Sequence, residues 1–197
     1  MTRLAAFGYG SLVDPRSAAL TLGRPVHPPQ PARLEGWQRR WSIYRDNLAA
    51  EKTFAIEPGG ELPPFIIGLN LEPDQVSAGK AANGALLEVT ETELDRLDLR
   101  EVRYDRVDVT AYVEDRGTRP FDRVFAFTAK PGHHAPEPPP GAVIVAGYVR
   151  TVEAAFAALG AGHLEEFRET SEPPAGVPIV EVRLVRDEIP EGNPRDW

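Results

Sequence analysis

The sequence contains no cysteine. That absence removes disulfides, thiolate-bound zinc and a thiol nucleophile together, and it fits a reducing compartment. Positive charge is also in short supply. Lysine and arginine total 22 against 30 aspartates and glutamates, a formal net charge of −8. Proteins that bind nucleic acid neutralise phosphates with clustered cations, so no nucleic-acid partner is expected. A local basic pocket for a small acidic ligand stays compatible with that balance. Long hydrophobic runs are missing too. No stretch approaches the ~20 apolar residues that cross a bilayer. The apolar part of the opening segment, MTRLAAFGYG, is too short for a signal peptide. The expectation is a cytoplasmic protein with no membrane contact.

What remains is a chain of 197 residues, 42% of them apolar, enough for one globular domain over residues 1–197. No internal repeat is visible. Proline clusters at Pro28–Pro31, Pro58–Pro64 and Pro136–Pro140 read as surface loops or extended connectors.

Arg3 to Phe7 reads as a first strand. Asp14 and Pro15 then signal a helix, the aspartate as N-cap and the proline at the first helical position. That helix is expected to reach Leu22, with Gly23 as its stop. Arg33 to Ile43 places Trp37, Trp41 and Ile43 on one face if extended. Both tryptophans are assigned to the core. Phe65–Leu71 and Ala85–Val89 read as buried strands. Thr90 and Glu93 form a T-x-x-E capping box, so a short helix should run from there to near Glu101, with Leu94 and Leu97 inward.

From Tyr104 to Val113 the period drops to two, a strand signal, and Arg123–Thr128 is a further strand. Thr151 is expected to cap an alanine-rich helix ending at Gly160. His163–Glu169 would form a short helix and Ile179–Val185 a closing strand. Strands dominate the middle and the helices are few, without regular βαβ alternation. The fold class is therefore α+β: a small mixed, mostly antiparallel curved sheet or barrel with flanking short helices.

The stretch FGYGSL, Phe7 to Leu12, lies between the first strand and the first helix. A phosphate loop would need a lysine after its second glycine, and a dinucleotide fingerprint would need a third glycine where Val13 stands. A nucleophile elbow requires G-x-S-x-G, which GYGSL does not match. The four histidines, His27, His133, His134 and His163, lack spaced partners for a triad or a metal site. No metal and no cofactor is expected. Taken alone, FGYGSL is a glycine turn joining strand to helix. Likewise, LDRLDLREVRYDRVDV (Leu94–Val109) is, taken alone, a charged helix end facing solvent. It places Asp98 three residues before Glu101, on the same helical face.

Together the two segments resemble the γ-glutamylcyclotransferase family, including its ChaC-type branch. GYGSL at Gly8–Leu12 is similar to the family's Y-G-S turn after the first strand. LDLREVRYDR at Leu97–Arg106 is similar to its acidic L-D-x-x-E-x-x-Y-x-R pattern. ARLEGWQRRW at Ala32–Trp41 and NGALLEVTETEL at Asn83–Leu94 add to the likeness, which reaches Val113.

The resemblance implies an enzyme that converts a γ-glutamyl amide to 5-oxoproline and a free amine without a cofactor. The substrate's own α-amino group attacks its γ-carbonyl, so no enzyme nucleophile is needed. Glu101 matches the family's catalytic acid and would act as general base and then general acid. It needs a raised pKa, from burial or from a neighbouring carboxylate such as Asp98. Backbone N–H groups of Tyr9, Gly10, Ser11 and Leu12 would cradle the glutamyl carboxylate, with Gly8 also in the substrate-binding set. Tyr104, Arg106 and Tyr148 complete the substrate-binding set, Tyr148 at a strand end before the Thr151 helix.

The implied partner is a small γ-glutamyl molecule. A γ-glutamyl amino acid, an ε-lysine isopeptide and glutathione all remain open. Val102-Arg103-Tyr104 stands where the glutathione-degrading branch usually carries glycine and tyrosine. The alternative reading is a non-catalytic module on the same scaffold that binds a small metabolite or a protein. Oligomeric state is not legible in the sequence.

Overall fold

The computed structural model describes residues 2–74, 81–114 and 121–195. Strand β1, Leu4–Gly8, is buried along its whole length. It lies at the centre of a five-stranded sheet with β2 (Gln30–Glu35), β6 (Ala81–Val89), β8 (Arg123–Ala129) and β7 (Tyr104–Asp108), in the order β2-β6-β1-β8-β7. A strand buried on both faces reads as a continuous apolar run, which is the LAAF of this segment.

Alternate side chains of β1 serve two layers. Leu4 and Ala6 pack on Ala18 and Leu22 of helix α1 (Pro15–Leu22) and on Leu94 and Leu97 of helix α2 (Glu91–Arg100). Ala5 and Phe7 face a second sheet. That sheet has the order β10-β9-β5-β3, from β10 (Ile179–Val180), β9 (Ala142–Val145), β5 (Phe65–Pro73) and β3 (Trp37–Asp46). Helix α3, Ala146–Ala158, adds Val152, Ala155 and Phe156 to the same core, and helix α4, His163–Thr170, adds Phe167. A separate ribbon pairs β4 (Lys52–Ile56) with β11 (Val182–Asp187). Among the described residues, five of the eight strand pairings are antiparallel.

The fold is α+β, with a mixed, mostly antiparallel strand arrangement. Among the described residues the strands form three open sheets, not the barrel offered as an alternative above. The helix starts follow their local signals. Asp14 accepts a 2.9 Å bond from the Arg16 amide, with Pro15 at the first position and Gly23 at φ 72° as the stop. Thr90 and Glu93 bond reciprocally to open α2.

Four expectations need correction. The period-two run after Tyr104 stops as a strand at Asp108, because the Asp108 carboxylate accepts bonds from the Thr110 amide (3.0 Å) and hydroxyl (2.5 Å) and turns the chain. Thr151 caps nothing: α3 starts at Ala146, and Thr151 donates back to the Gly147 carbonyl at 3.0 Å. The closing strand is two pieces, β10 and β11, in different sheets. Pro31 lies within the edge strand β2 rather than in a loop.

Candidate active site

Strand β1 ends at Gly8, where the chain folds back on itself. A Cβ on Gly8 would come within 3.0 Å of the Leu12 carbonyl carbon. Across the sheet, a Cβ on Gly84 would lie 2.3 Å from the Gly8 carbonyl oxygen. Small residues are therefore required on both sides of this turn. A single 3-10 turn over Ser11–Val13 follows. It uses the amides of Val13 and Asp14, bonded to Gly10 and Ser11 carbonyls at 3.0 and 3.1 Å. The amides of Ser11 and Leu12 precede the first helical bond and have no acceptor within the turn.

Glu101 is the C-cap of α2. Its amide bonds to the Leu97 carbonyl at 2.7 Å, and its own carbonyl receives the Tyr104 amide at 2.8 Å. The helix end thus holds the Glu101 side chain while β7 begins three residues later. Arg100 joins this end to the glycine turn. It is buried, and its guanidinium donates to Ser11 Oγ (2.9 Å), Ser17 Oγ (3.0 Å), the Ser17 carbonyl (3.1 Å) and Thr21 Oγ1 (2.8 Å). Its Nε lies 3.1 Å from Glu101 Oε1. Burial raises the Glu101 carboxyl above its ordinary 4.5, and the Arg100 charge opposes the rise without cancelling it. Asp98 plays no part: it pairs with Arg106 at 3.4 Å.

Three tyrosines surround the carboxyl. Tyr9 donates to the Phe127 carbonyl at 2.5 Å and Tyr104 to the Leu69 carbonyl at 2.8 Å. Tyr148 belongs to the first turn of α3, not to a strand end, and packs edge-on to Trp41 with centroids 6.1 Å apart. Burial pushes the proton affinity of all three phenols up, and the Glu101 charge raises it further. All three hydroxyls stay protonated in the working range of pH.

Gly8, Tyr9, Gly10, Ser11, Leu12, Glu101, Tyr104 and Tyr148 line one cavity of about 590 Å³. Arg106 is not among its lining residues; it is committed to Asp98 and lies over the Phe125 ring, 5.4 Å from the centroid. Trp37 and Trp41 are buried in the core, as expected of them. Among the described residues no group of three or more acidic or histidine side chains is placed to hold a metal ion. Nor, among them, is any helix long and apolar enough to cross a membrane.

No family model matches the sequence, and no curated protein matches it. Solved structures do. A structure described as γ-glutamyl cyclotransferase superposes with a TM-score of 0.57 at 14% identity, over 88% of this chain and 90% of that one. The chain has the γ-glutamyl-cyclotransferase-like fold. A yeast γ-glutamyl cyclotransferase described as specific to glutathione is similar over 87% of this chain and 98% of its own, with a TM-score of 0.51 at 13% identity. A human protein described as uncharacterized is similar over 92% and 95%, with a TM-score of 0.55 at 13% identity.

Within this γ-glutamyl-cyclotransferase-like fold, sequence reasoning missed Arg100, the residue that ties acid to turn. A signal was present, because Leu94, Leu97 and Arg100 recur every three residues on the buried face of α2. Also missed was a charged part of the cavity lining, to which Arg45, Glu51, Lys52, Arg103 and Arg195 contribute.

Proposed function

We propose that the chain is a single-domain, cofactor-independent γ-glutamyl cyclotransferase that converts a γ-glutamyl amide to 5-oxoproline and a free amine. One observation carries the reading. The Glu101 carboxyl and the Gly8–Leu12 turn line the same cavity, held together by Arg100.

The reaction needs little covalent help. The substrate's α-nitrogen attacks its own γ-carbonyl carbon, a new C–N bond closes the five-membered ring, and the old amide C–N bond breaks. Well-oriented intramolecular attack reaches effective molarities of ~10⁵–10⁸ M, so holding the chain bent is most of the work. The free amides of the glycine turn suit the glutamyl α-carboxylate and the γ-carbonyl oxygen, which becomes an oxyanion during attack. Tyr104 and Tyr148 wall the glutamyl chain between them.

Glu101 moves the proton. It takes one from the α-ammonium as base and returns it to the departing nitrogen as acid; the second proton, shed when the attacking nitrogen becomes the lactam N–H, ends on the released amine, which leaves as an ammonium. A carboxyl with raised proton affinity serves both steps better than an ordinary one. Nothing about this residue set favours the purely binding alternative.

The test is incubation with γ-glutamyl-alanine and with glutathione, following 5-oxoproline by mass spectrometry. Product from the wild type and at least ~10²-fold less from Glu101→Gln is expected. Binding of 5-oxoproline or glutamate without turnover of either substrate would instead make the chain a metabolite-binding module.

A further inference from the structure

One wall of the cavity includes a segment with few attachments. Ile189 and Arg195 line the cavity, and both belong to the stretch that follows β11. The ladder between β11 and β4 carries the chain as far as Glu188, whose amide donates to the Glu51 carbonyl at 2.9 Å. Beyond it, among the described residues, no strand pairing continues. The next bonds are local. The Ile189 amide donates to the Asp187 carboxylate at 3.0 Å, the Asn193 amide to the Pro190 carbonyl at 3.1 Å, and the Arg195 amide to the Asn193 side-chain oxygen at 3.0 Å.

Those bonds make the segment a unit. The turn from Pro190 to Asn193 has Gly192 at its third position with φ 75°, the left-handed value that such a turn favours. Pro190 and Pro194 restrict the chain on either side of it. A segment stiffened in this way is suited to move as a body about its attachment at Glu188.

Among the described residues, one polar contact ties residues 189–195 to the protein beyond β11. Arg195 reaches Glu51 Oε1 at 3.1 Å. The same carboxylate is already held by Arg103, whose guanidinium donates to both oxygens, at 3.1 and 2.6 Å. Arg103 is fixed in turn, because its carbonyl accepts the Lys130 amide at 2.9 Å. Arg45 is attracted by Glu51 as well and repelled by Arg103. Three guanidiniums therefore compete for one carboxylate. Arg103 has the two-pronged grip that makes such pairs strong, while Arg195 has a single contact to an oxygen it shares. The Arg195 side chain is 27% exposed, and an ion pair this open to water is weak and screened by salt. Glu51 is thus held firmly from the side of Arg103 and loosely from the side of Arg195.

We propose that residues 188–195 form a strap that opens and closes one wall of the cavity, with the Glu51 carboxylate as its catch. Closed, the strap sets Ile189 against the cavity. Released from Glu51, it swings about Glu188 and exposes that wall to solvent. This rests on reading the cavity as the ligand site, but its test needs neither substrate nor turnover.

The chain has no cysteine of its own to interfere with the measurement. Single cysteines are introduced at Ile189, which lines the cavity, and at Glu191, which is exposed on the same segment. Their alkylation by iodoacetamide is timed by mass spectrometry. Ile189→Cys is expected to react about tenfold more slowly than Glu191→Cys, since its reaction waits on local opening. Adding Arg195→Gln should bring the two rates within about twofold, Arg195→Lys should keep part of the difference, and about 0.5 M sodium chloride should narrow it. Equal rates at the two positions in the otherwise unchanged protein overturn the strap. So does a difference that both Arg195→Gln and Glu51→Gln leave intact. Arg195 lies on the segment itself, so its variants decide the matter even if Glu51→Gln, which also strips Arg103 of its partner, fails to fold. A failed cyclotransferase reading shows separately, as absence of 5-oxoproline from a protein whose labelling pattern still supports the strap.

Discussion

The Tyr148 hydroxyl fills the space that a side chain on Gly10 would need. A Cβ at Gly10 would lie 2.8 Å from Tyr148 Oη, closer than such contacts occur. The glycine turn and the first turn of α3 are therefore fitted to each other, and the fit fixes one wall of the cavity. Gly10→Ala should displace Tyr148 and cut 5-oxoproline formation by ~10²-fold, the scale of a misplaced positioning group. The double variant Gly10→Ala/Tyr148→Phe should recover part of that loss. A double-mutant cycle with strictly additive effects would break the proposed coupling.

Arg100 makes four hydrogen bonds to three residues and sits beside the Glu101 carboxylate. Arg100→Met leaves a buried carboxyl without its cation and several polar groups without a donor. Urea denaturation should show a loss on the order of 3 kcal/mol. Because the Arg100 charge opposes the rise in Glu101 proton affinity, the acidic limb of the pH–rate profile should also move to higher pH. An unmoved limb would mean that Arg100 does not reach Glu101 electrostatically.

Glu101 favours its protonated form in the fold, since burial raises its pKa above 4.5. The sign for stability follows. The native state holds this proton more tightly than the unfolded chain, so stability falls as pH rises from about 4.5 through the native value. Glu101→Gln should lack that decline while losing ~10²–10⁴-fold in activity, the usual contribution of a general acid-base group. Thermal melts of both proteins across pH 4 to 8 measure the difference; parallel curves would contradict the burial argument.

Glu51 titrates in the opposite sense. Burial raises its pKa, but hydrogen bonds from Arg103 and the charges of Arg103 and Arg195 outweigh burial and bring it down to about 2. The stabilisation it supplies is fully present above about pH 4.5 and is lost as pH falls toward 2. Glu51→Gln should flatten the acid side of the stability curve. An acid transition as steep as that of the wild type would place the responsible carboxylates elsewhere.

Local bonds made much of the fold legible. The caps at Asp14 and Thr90 and the stop at Gly23 each act within four residues, so the sequence carried them directly. The glycine turn, Glu101, Tyr104 and Tyr148 could be selected because their order matches a known pattern. Long-range pairing was less visible. Strand β4 pairs with β11, more than a hundred residues away, and β9 is only four residues long, too short for a clear period. Buried arginines were hidden for another reason. Arg100 looks like an ordinary helix-end charge, and its burial depends on Ser11, Ser17 and Thr21 arriving from elsewhere. Arg106 misled in the same way, since only its contact with Asp98 shows that it is already engaged.

The ribbon of β4 and β11 gives the cavity a division of labour. Lys52 and Phe54 come from β4, and Ile189 and Arg195 from the segment after β11, while the glycine turn and Glu101 are held by the five-stranded sheet and its helices. One wall of the cavity is thus anchored separately from the wall that carries the glycine turn and Glu101. Exchanging ribbon residues is a route to reshape one wall of the cavity without rebuilding the wall that carries Glu101.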